Sequence, residues 1–202
     1  MSPGPTFDRV YVTLKEQLVG GRFGPGDHLE PSALGDELVA SITPVRDALH
    51  RLVGERLVEA PRNDGFRVPS PTEAQLRGLY RWNGDLLDLA LRRCRERPGI
   101  DDVEGALAHG GAPASLFRAI AGCAGNQEHE LAIESLNERL GPLRAAEERL
   151  FQDWRDELET LRSAFAVFEV RILRRAIAAY HRRRQRSVPE LLVLWQRLAG
   201  RT

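Results

Sequence analysis

The chain has no excess charge of either sign: 29 Lys and Arg are balanced by 29 Asp and Glu. No global field therefore draws it toward a polyanion or an anionic membrane surface, and any such contact must come from a local arrangement. Long hydrophobic runs are missing too; none approaches the roughly 18 apolar residues of a membrane span. The opening residues, MSPGPTFDRV, lack the basic and apolar regions of a signal peptide. The expectation is a cytoplasmic protein without a membrane partner. Cysteine is scarce, with only Cys94 and Cys123, which excludes a disulfide framework. The two read as reduced structural thiols, since a redox pair would need their Cα atoms within about 6 Å. Against these absences stands an ordinary globular composition, 42% hydrophobic and 29% charged over 202 residues. That is enough for a sizeable core in one large domain, or in a small and a medium one.

Helical periodicity dominates. Val10, Leu14 and Leu18 recur every fourth residue and predict a first helix. GGRFGPGD then breaks it, with four glycines and one proline in eight residues. Leu34 and Leu38 anchor a short second helix. Ser41 is placed to cap a third, with Pro44 in its first turn and Val45, Leu49, Leu52 and Val53 as its buried stripe. After it, Leu57 to Ala60 and Phe66 to Val68 read as two short strands. They are joined by PRNDG, whose Asp64-Gly65 is a hairpin signal. Helix, turn, helix, turn, helix, hairpin is the part list of a winged helix-turn-helix. PSPT at 69–72 reads as a linker. Beyond it, helices are predicted near 73–97, 101–109, 113–124, 127–150, 153–185 and 188–199. The stretch from Arg144 to Arg184 stays open between two helices and one bent one. The expected fold class is mainly α, a winged helix-turn-helix over 1–68 and then an all-helical bundle over 73–202.

The first of these units resembles the GntR family of bacterial transcription regulators. Gly21 to Leu29 meets the pattern GxxxPGDxL. Thr43-Pro44-Val45-Arg46-Asp47-Ala48-Leu49, then Leu52, Leu57, Val58, Gly65 and Val68, continue the match. The second unit resembles the helical FCD effector domain of the FadR-like branch, through Leu116-Phe117-Arg118-Ala119-Ile120-Ala121, Ala124-Gly125-Asn126 and Ala178-Ala179-Tyr180-His181. The resemblance implies a transcription regulator, a repressor in kind, that binds a double-stranded DNA operator as a homodimer and answers to a small-molecule effector.

A helix in the major groove presents the side chains of its N-terminal turns to base edges. The expected DNA-contacting residues are Ser32, Ser41, Ile42, Thr43 and Arg46, with Arg62, Asn63 and Gly65 on the wing. Arg46 has the reach for a bidentate pair with guanine; the alternative is a solvated ion pair with Asp47 or Glu55. Ser41 and Thr43 offer hydroxyls to phosphate or to the helix cap. The wing tip suits the minor groove, or is a plain solvated turn. Two positions depart from the family, which commonly has arginine where this chain has Ser32 and Ile42. Residues 1–69 hold eight Lys and Arg against ten Asp and Glu, 8 − 10 = −2. The grip on phosphate per subunit is therefore expected to be modest.

Many FCD-like domains hold a divalent metal through one aspartate and three histidines. Here the corresponding positions are Pro113, Phe117, the stretch Glu157 to Thr160, and His181, so only the last imidazole survives. No metal or other cofactor is expected. A cavity between helices is the default effector site, with Trp82, Asn83, Phe117, Asn126, Asn137 and His181 as its expected lining. The competing reading of each is a core or cap residue. Arginine expected on the first effector helix is replaced by Asn83, which points away from a small carboxylate held there and toward an apolar or bulkier ligand. Arg182-Arg183-Arg184 reads as a helix-end basic run. An enzyme on the helical domain would need clustered chemistry, and His28, His50, His109, His129 and His181 show no catalytic or metal-binding spacing. A third possibility is a protein-interaction module whose winged helix no longer reads DNA.

Overall fold

The computed structural model describes residues 5–62, 64–94 and 113–199. The expected helix at 101–109, residues 95–97, Asn63 and His109 lie outside them. Helix α1 (Pro5–Val19) buries Val10, Tyr11, Leu14 and Leu18, the predicted stripe with one aromatic added. The glycine-rich stretch ends it and leads to α2 (Pro31–Leu38), whose leading proline gives up an N–H that has no helical partner anyway. Val39 closes α2 in the left-handed region, φ 50°. Arg9 of α1 donates to the carbonyls of Leu38 (2.8 Å) and Val39 (3.2 Å), satisfying acceptors that a helix end leaves open. Helix α3 (Ile42–Gly54) packs Val45, Ala48, Leu49 and Leu52 inward.

The wing is less regular than expected. In place of two strands there are isolated bridges, Glu59 with Arg67 and His28 with Arg67. Glu59 and Arg67 exchange both backbone bonds, at 2.8 and 2.9 Å, and Leu29 N–H donates to Phe66 at 2.8 Å. The hairpin returns against the loop before α2, so each of its edges has too few consecutive pairs to propagate a ladder. Gly65 takes φ 65°, which the turn requires and a β-carbon would strain.

Thr72, expected within the linker, opens α4 (Glu73–Arg93) through a capping box. Gln75 N–H donates to its Oγ1 (3.2 Å), and Thr72 N–H donates to Gln75 Oε1 (2.8 Å). Helix α5 (Pro113–Gly122) and helix α6 (Gln127–Leu140) come next. The helix predicted over 127–150 is broken: Gly141–Leu143 forms a single 3-10 turn before α7 (Arg144–Leu150). Pro142 has no N–H to donate to the preceding turn, so the α-helical ladder is interrupted there even though Gly141 keeps helical angles, φ −50° and ψ −49°. The helix predicted over 153–185 is also two, α8 (Trp154–Ala166) and α9 (Val170–Arg186). Phe168 sits between them at φ 53°, and Glu169 N–H closes back on Ala164 O at 3.1 Å. Helix α10 (Val188–Ala199) ends the described chain.

Two apolar clusters result. The first runs from the winged helix into α4, α7 and α10, joining Leu14, Leu49 and Val68 to Leu76, Leu143, Ala146, Leu191 and Trp195. The second fills the bundle with Leu87, Phe117, Ile120, Ile133, Leu161, Phe165 and Ile177. The N-terminal unit is thus fused to the bundle through shared core. Lys15 adds a polar clamp across the junction, 3.0 Å from Glu55 and 2.8 Å from Glu138. Gly141 permits the close approach, since a β-carbon there would fall 2.7 Å from Val19.

Candidate nucleic-acid interface and the bundle interior

The turn between α2 and α3 presents Ser41, Ile42, Thr43 and Arg46 together on one exposed surface at the start of α3. Ser41 occupies the N-cap position with extended backbone, yet its side chain makes no capping bond. The backbone N–H groups of the first turn therefore face outward without a side-chain acceptor, and the helix dipole places partial positive charge there. Ile42 is half exposed (52%), a large apolar side chain in contact with water. Ser32 on α2 is also exposed and donates to Glu30 at 3.1 Å.

The arginines and lysine of this unit divide sharply. Arg9 caps α2; Lys15 is held by Glu55 and Glu138; Arg22 pairs with Glu37; Arg51 lies over the Tyr11 ring and 3.4 Å from Glu55; Arg67 pairs with Glu59 and Asp64. The Arg46 side chain makes no ion pair or hydrogen bond with any described residue: of its two anticipated partners, Asp47 is exposed and not paired with it, and Glu55 is taken by Tyr11 (2.6 Å), Lys15 and Arg51. Arg62 on the wing is exposed and has no described acid partner. An exposed guanidinium left without an internal acid is available to an external acceptor such as a phosphate or a guanine edge. The engaged cations could not all be sorted from the open ones in the sequence, because some partners lie far along the chain: Glu37 is 15 residues from Arg22, and Glu55 is 55 − 15 = 40 residues from Lys15.

The expected effector residues scatter. Asn83, Phe117 and His181 meet inside the bundle, all nearly fully buried. The Phe117 ring lies 5.5 Å from His181 and 5.3 Å from Tyr180. Trp82 is half exposed on the outer side of α4. Asn126 is exposed and caps α6 by accepting from Glu128 N–H at 3.0 Å. Asn137 is buried and donates to the carbonyl of Ala114 at 3.1 Å.

His181 is held neutral. Burial pulls its pKa down to about 4, and the cations of Arg184 and Arg144 act in the same direction. Nδ1 lies 2.8 Å from the Ile177 carbonyl and Nε2 2.8 Å from the Asn83 amide. A neutral ring has one proton, and the carbonyl can only accept, so the proton is on Nδ1. Nε2 is then an acceptor facing Asn83 Oδ1, so the pair is satisfied when the Asn83 amide is turned to present Nδ2, which otherwise has no partner. An imidazole engaged at both nitrogens is a structural strut. Among the described residues no three His, Cys, Asp or Glu side chains gather as a metal would require.

Beside it lies a buried ionic network that the sequence did not reveal. Glu147 accepts from Tyr80 Oη (2.7 Å), Arg144 Nη1 (2.9 and 3.0 Å) and Arg184 Nε (2.8 Å). Arg184 reaches Glu157 at 2.9 Å and stacks under the Tyr180 ring. Burial by itself would raise the Glu147 carboxyl, but Arg144 and Arg184 hold it below the usual carboxylate range. Arg184, within the run that reads as a solvated helix end, is 2% exposed. The enclosed space next to this network is about 20 Å³, lined by Pro113, Trp154 and Tyr180 among others. That volume suits about one water molecule, so side chains fill the middle of the bundle.

Comparison with known proteins supplies the context. The family model described as bacterial regulatory proteins, gntR family, matches residues 6–68. HTH-type transcriptional repressor GlaR of Escherichia coli is 36% identical over 70 residues, 35% of this chain and 32% of its own length. HTH-type transcriptional regulator McbR of Escherichia coli is 36% identical over 85 residues, 41% of this chain and 38% of its own. These alignments span well under half of either relative. Fold similarity extends further. The structure of E. coli McbR/YncC covers 97% of this chain and 100% of that one with TM-score 0.72 at 22% identity. A GntR-type regulator from Rhodococcus sp. RHA1 covers 92% and 98% with TM-score 0.72 at 18% identity.

Proposed function

From the match of residues 6–68 to the gntR-family model, we propose that this chain is a transcriptional repressor that reads a two-fold DNA operator as a homodimer. The observation that carries the reading is Arg46: exposed on α3 beside Ser41 and Thr43, with no described acid partner, while neighbouring cations are committed internally. Repression is proposed by analogy with the relative GlaR, a transcriptional repressor.

The homodimer rests on the same arithmetic. The base-reading surface offers few open cations, and counterion release scales with the number of phosphates neutralised. Two copies on a pseudo-palindrome double both the contacts and the sequence read. The chain acts by binding, in the cytoplasm, and works without a metal or other cofactor; in support, His181 is spoken for at both nitrogens, and no described helix is long and apolar enough to cross a membrane. A small-molecule effector sets the DNA affinity. The interior triad of Asn83, Phe117 and His181 positions α4 against α9, and the effector occupies a groove elsewhere on the molecule.

Selection from a random duplex pool tests the reading. The expected outcome is enrichment of an inverted repeat whose half-site centres lie about 10 base pairs apart or a multiple of it. A pool that stays unenriched while the protein remains folded would overturn DNA reading and leave an interaction module.

A further inference from the structure

A groove of about 810 Å³ lies between the winged helix and the bundle. Its walls come from the far end of α3 and the wing on one side, and from α4, the end of α6 and the 3-10 turn on the other. Val58, Leu79 and Trp82 make much of that wall apolar, and Trp82 stands half exposed. Two arginines line it, Arg56 from the DNA-binding unit and Arg139 from the bundle. They are close enough that the charge of Arg56, after the larger effect of burial, depresses the Arg139 guanidinium.

Neither guanidinium makes an ion pair or hydrogen bond with a described residue. The carboxylates nearest in sequence are committed: Glu55 and Glu138 to Lys15, and Glu59 to Arg67. Arg56 is moreover held at φ 61°, a conformation that costs a non-glycine residue free energy and persists only where the surroundings impose it. A third donor sits in the same wall. Trp195 is 4% exposed, and its indole N–H has no acceptor in the protein. Like charges facing each other across an apolar groove, with a buried donor unmet beside them, form an arrangement missing its anion.

We propose that this groove binds an amphipathic organic anion, with its carboxylate between Arg56 and Arg139 and an apolar, planar body against Leu79 and Trp82. The anion bridges the two units: one of its arginine partners lies just past α3, and the other belongs to the bundle. Occupancy removes the Arg56–Arg139 repulsion and fixes the angle at which α3 is presented. This deepens the effector reading given above and rests on it for the link to DNA, while the site itself stands on the groove alone.

The test uses the full chain, free of DNA, and isothermal titration calorimetry with 2-naphthoate, compared with its neutral isostere 2-naphthamide. Naphthoate is expected to bind at least about tenfold more tightly than the amide, the difference a charge-assisted bond supplies. In Arg139→Gln and Arg56→Gln that preference is expected to shrink toward unity while naphthamide binding is unchanged. Each substitution is also expected to raise the melting temperature of the unliganded protein, because it removes a repulsion. Equal binding of the two probes, no binding of naphthoate in the millimolar range, or a preference that survives both substitutions overturns the proposal. Enrichment of an operator by the same preparation, with naphthoate inert, sinks this site and leaves DNA reading intact. Loss of operator enrichment with naphthoate still bound sinks DNA reading and leaves the site.

Discussion

Charge is handled in opposite ways at the two ends of this molecule. At the start of α3, Arg46 is exposed and without a described acid partner. In the bundle, Arg184 is buried and touches Glu147, Glu157, the Tyr180 ring and the Tyr180 carbonyl. A desolvated cation must be paired or the fold fails, whereas a cation destined for an external acceptor must be left unpaired and kept in water. The contrast separates charge engaged inside the fold from charge proposed for recognition, and substitution experiments can break either side of it.

The largest effect is expected in the bundle. Glu147→Ala leaves Arg144 and Arg184 buried without their shared carboxylate and should cost about 3–5 kcal/mol of folding stability. Chemical denaturation measures it, and a loss below about 1 kcal/mol would show that the network is better hydrated than its burial indicates.

His181 comes next. Its folded pKa of about 4 lies below the ordinary 6.5, so the unfolded chain takes up the proton first as pH falls. Stability conferred by this neutral ring is complete above pH 6.5 and is lost as pH drops toward 4, by about 3 kcal/mol from a difference of 6.5 − 4 = 2.5 at 1.36 kcal/mol each. Denaturation midpoints across that window should fall more steeply in the wild type than in His181→Gln. Parallel pH profiles would rule out a buried neutral imidazole.

On the recognition side the sign of the experiment changes. Arg46→Ala should cost about 1–3 kcal/mol in discrimination between operator and mismatched DNA. Its folding stability should stay within about 0.5 kcal/mol of wild type. A competition gel-shift beside a melting curve distinguishes the two, and a destabilised variant with unaltered DNA preference would place Arg46 on the structural side.

The smallest contrast sets two helix-cap positions against each other. Thr72→Ala breaks a complete capping box and should cost about 1 kcal/mol, while Ser41→Ala removes no capping bond and should cost under about 0.5 kcal/mol. The Ser41 substitution should instead weaken DNA binding, which fluorescence anisotropy on an operator duplex would register.

Local signals make the first 68 residues legible. A four-residue apolar spacing, a glycine-rich break, a proline in a first turn and an Asp-Gly turn act within a few residues, and the three helices appear where those signals put them. The wing reads as two strands because Leu57 to Ala60 and Phe66 to Val68 have strand-like composition. Pairing with the loop at 26–29 leaves only bridges. In the bundle, the break at Gly141-Pro142 has a visible marker. The one at Phe168 has none, because neither glycine nor proline stands between Ala166 and Val170. The expected effector lining separates for a similar reason: Asn83 and His181 lie 98 residues apart and meet, while Trp82, adjacent to Asn83, faces the other way on the same helix.

The sequence by itself determined the helix-turn-helix, the helical class of the second unit, and which residues head α3. These depend on periodicity, capping and turn chemistry, all of short range. Tertiary structure alone decided which cations stay open, that Arg184 is buried, that His181 is neutral, and that Arg56 and Arg139 face one groove. Each of those depends on what a side chain meets from a distant part of the chain, since desolvation and Coulomb interactions act through space rather than along the backbone.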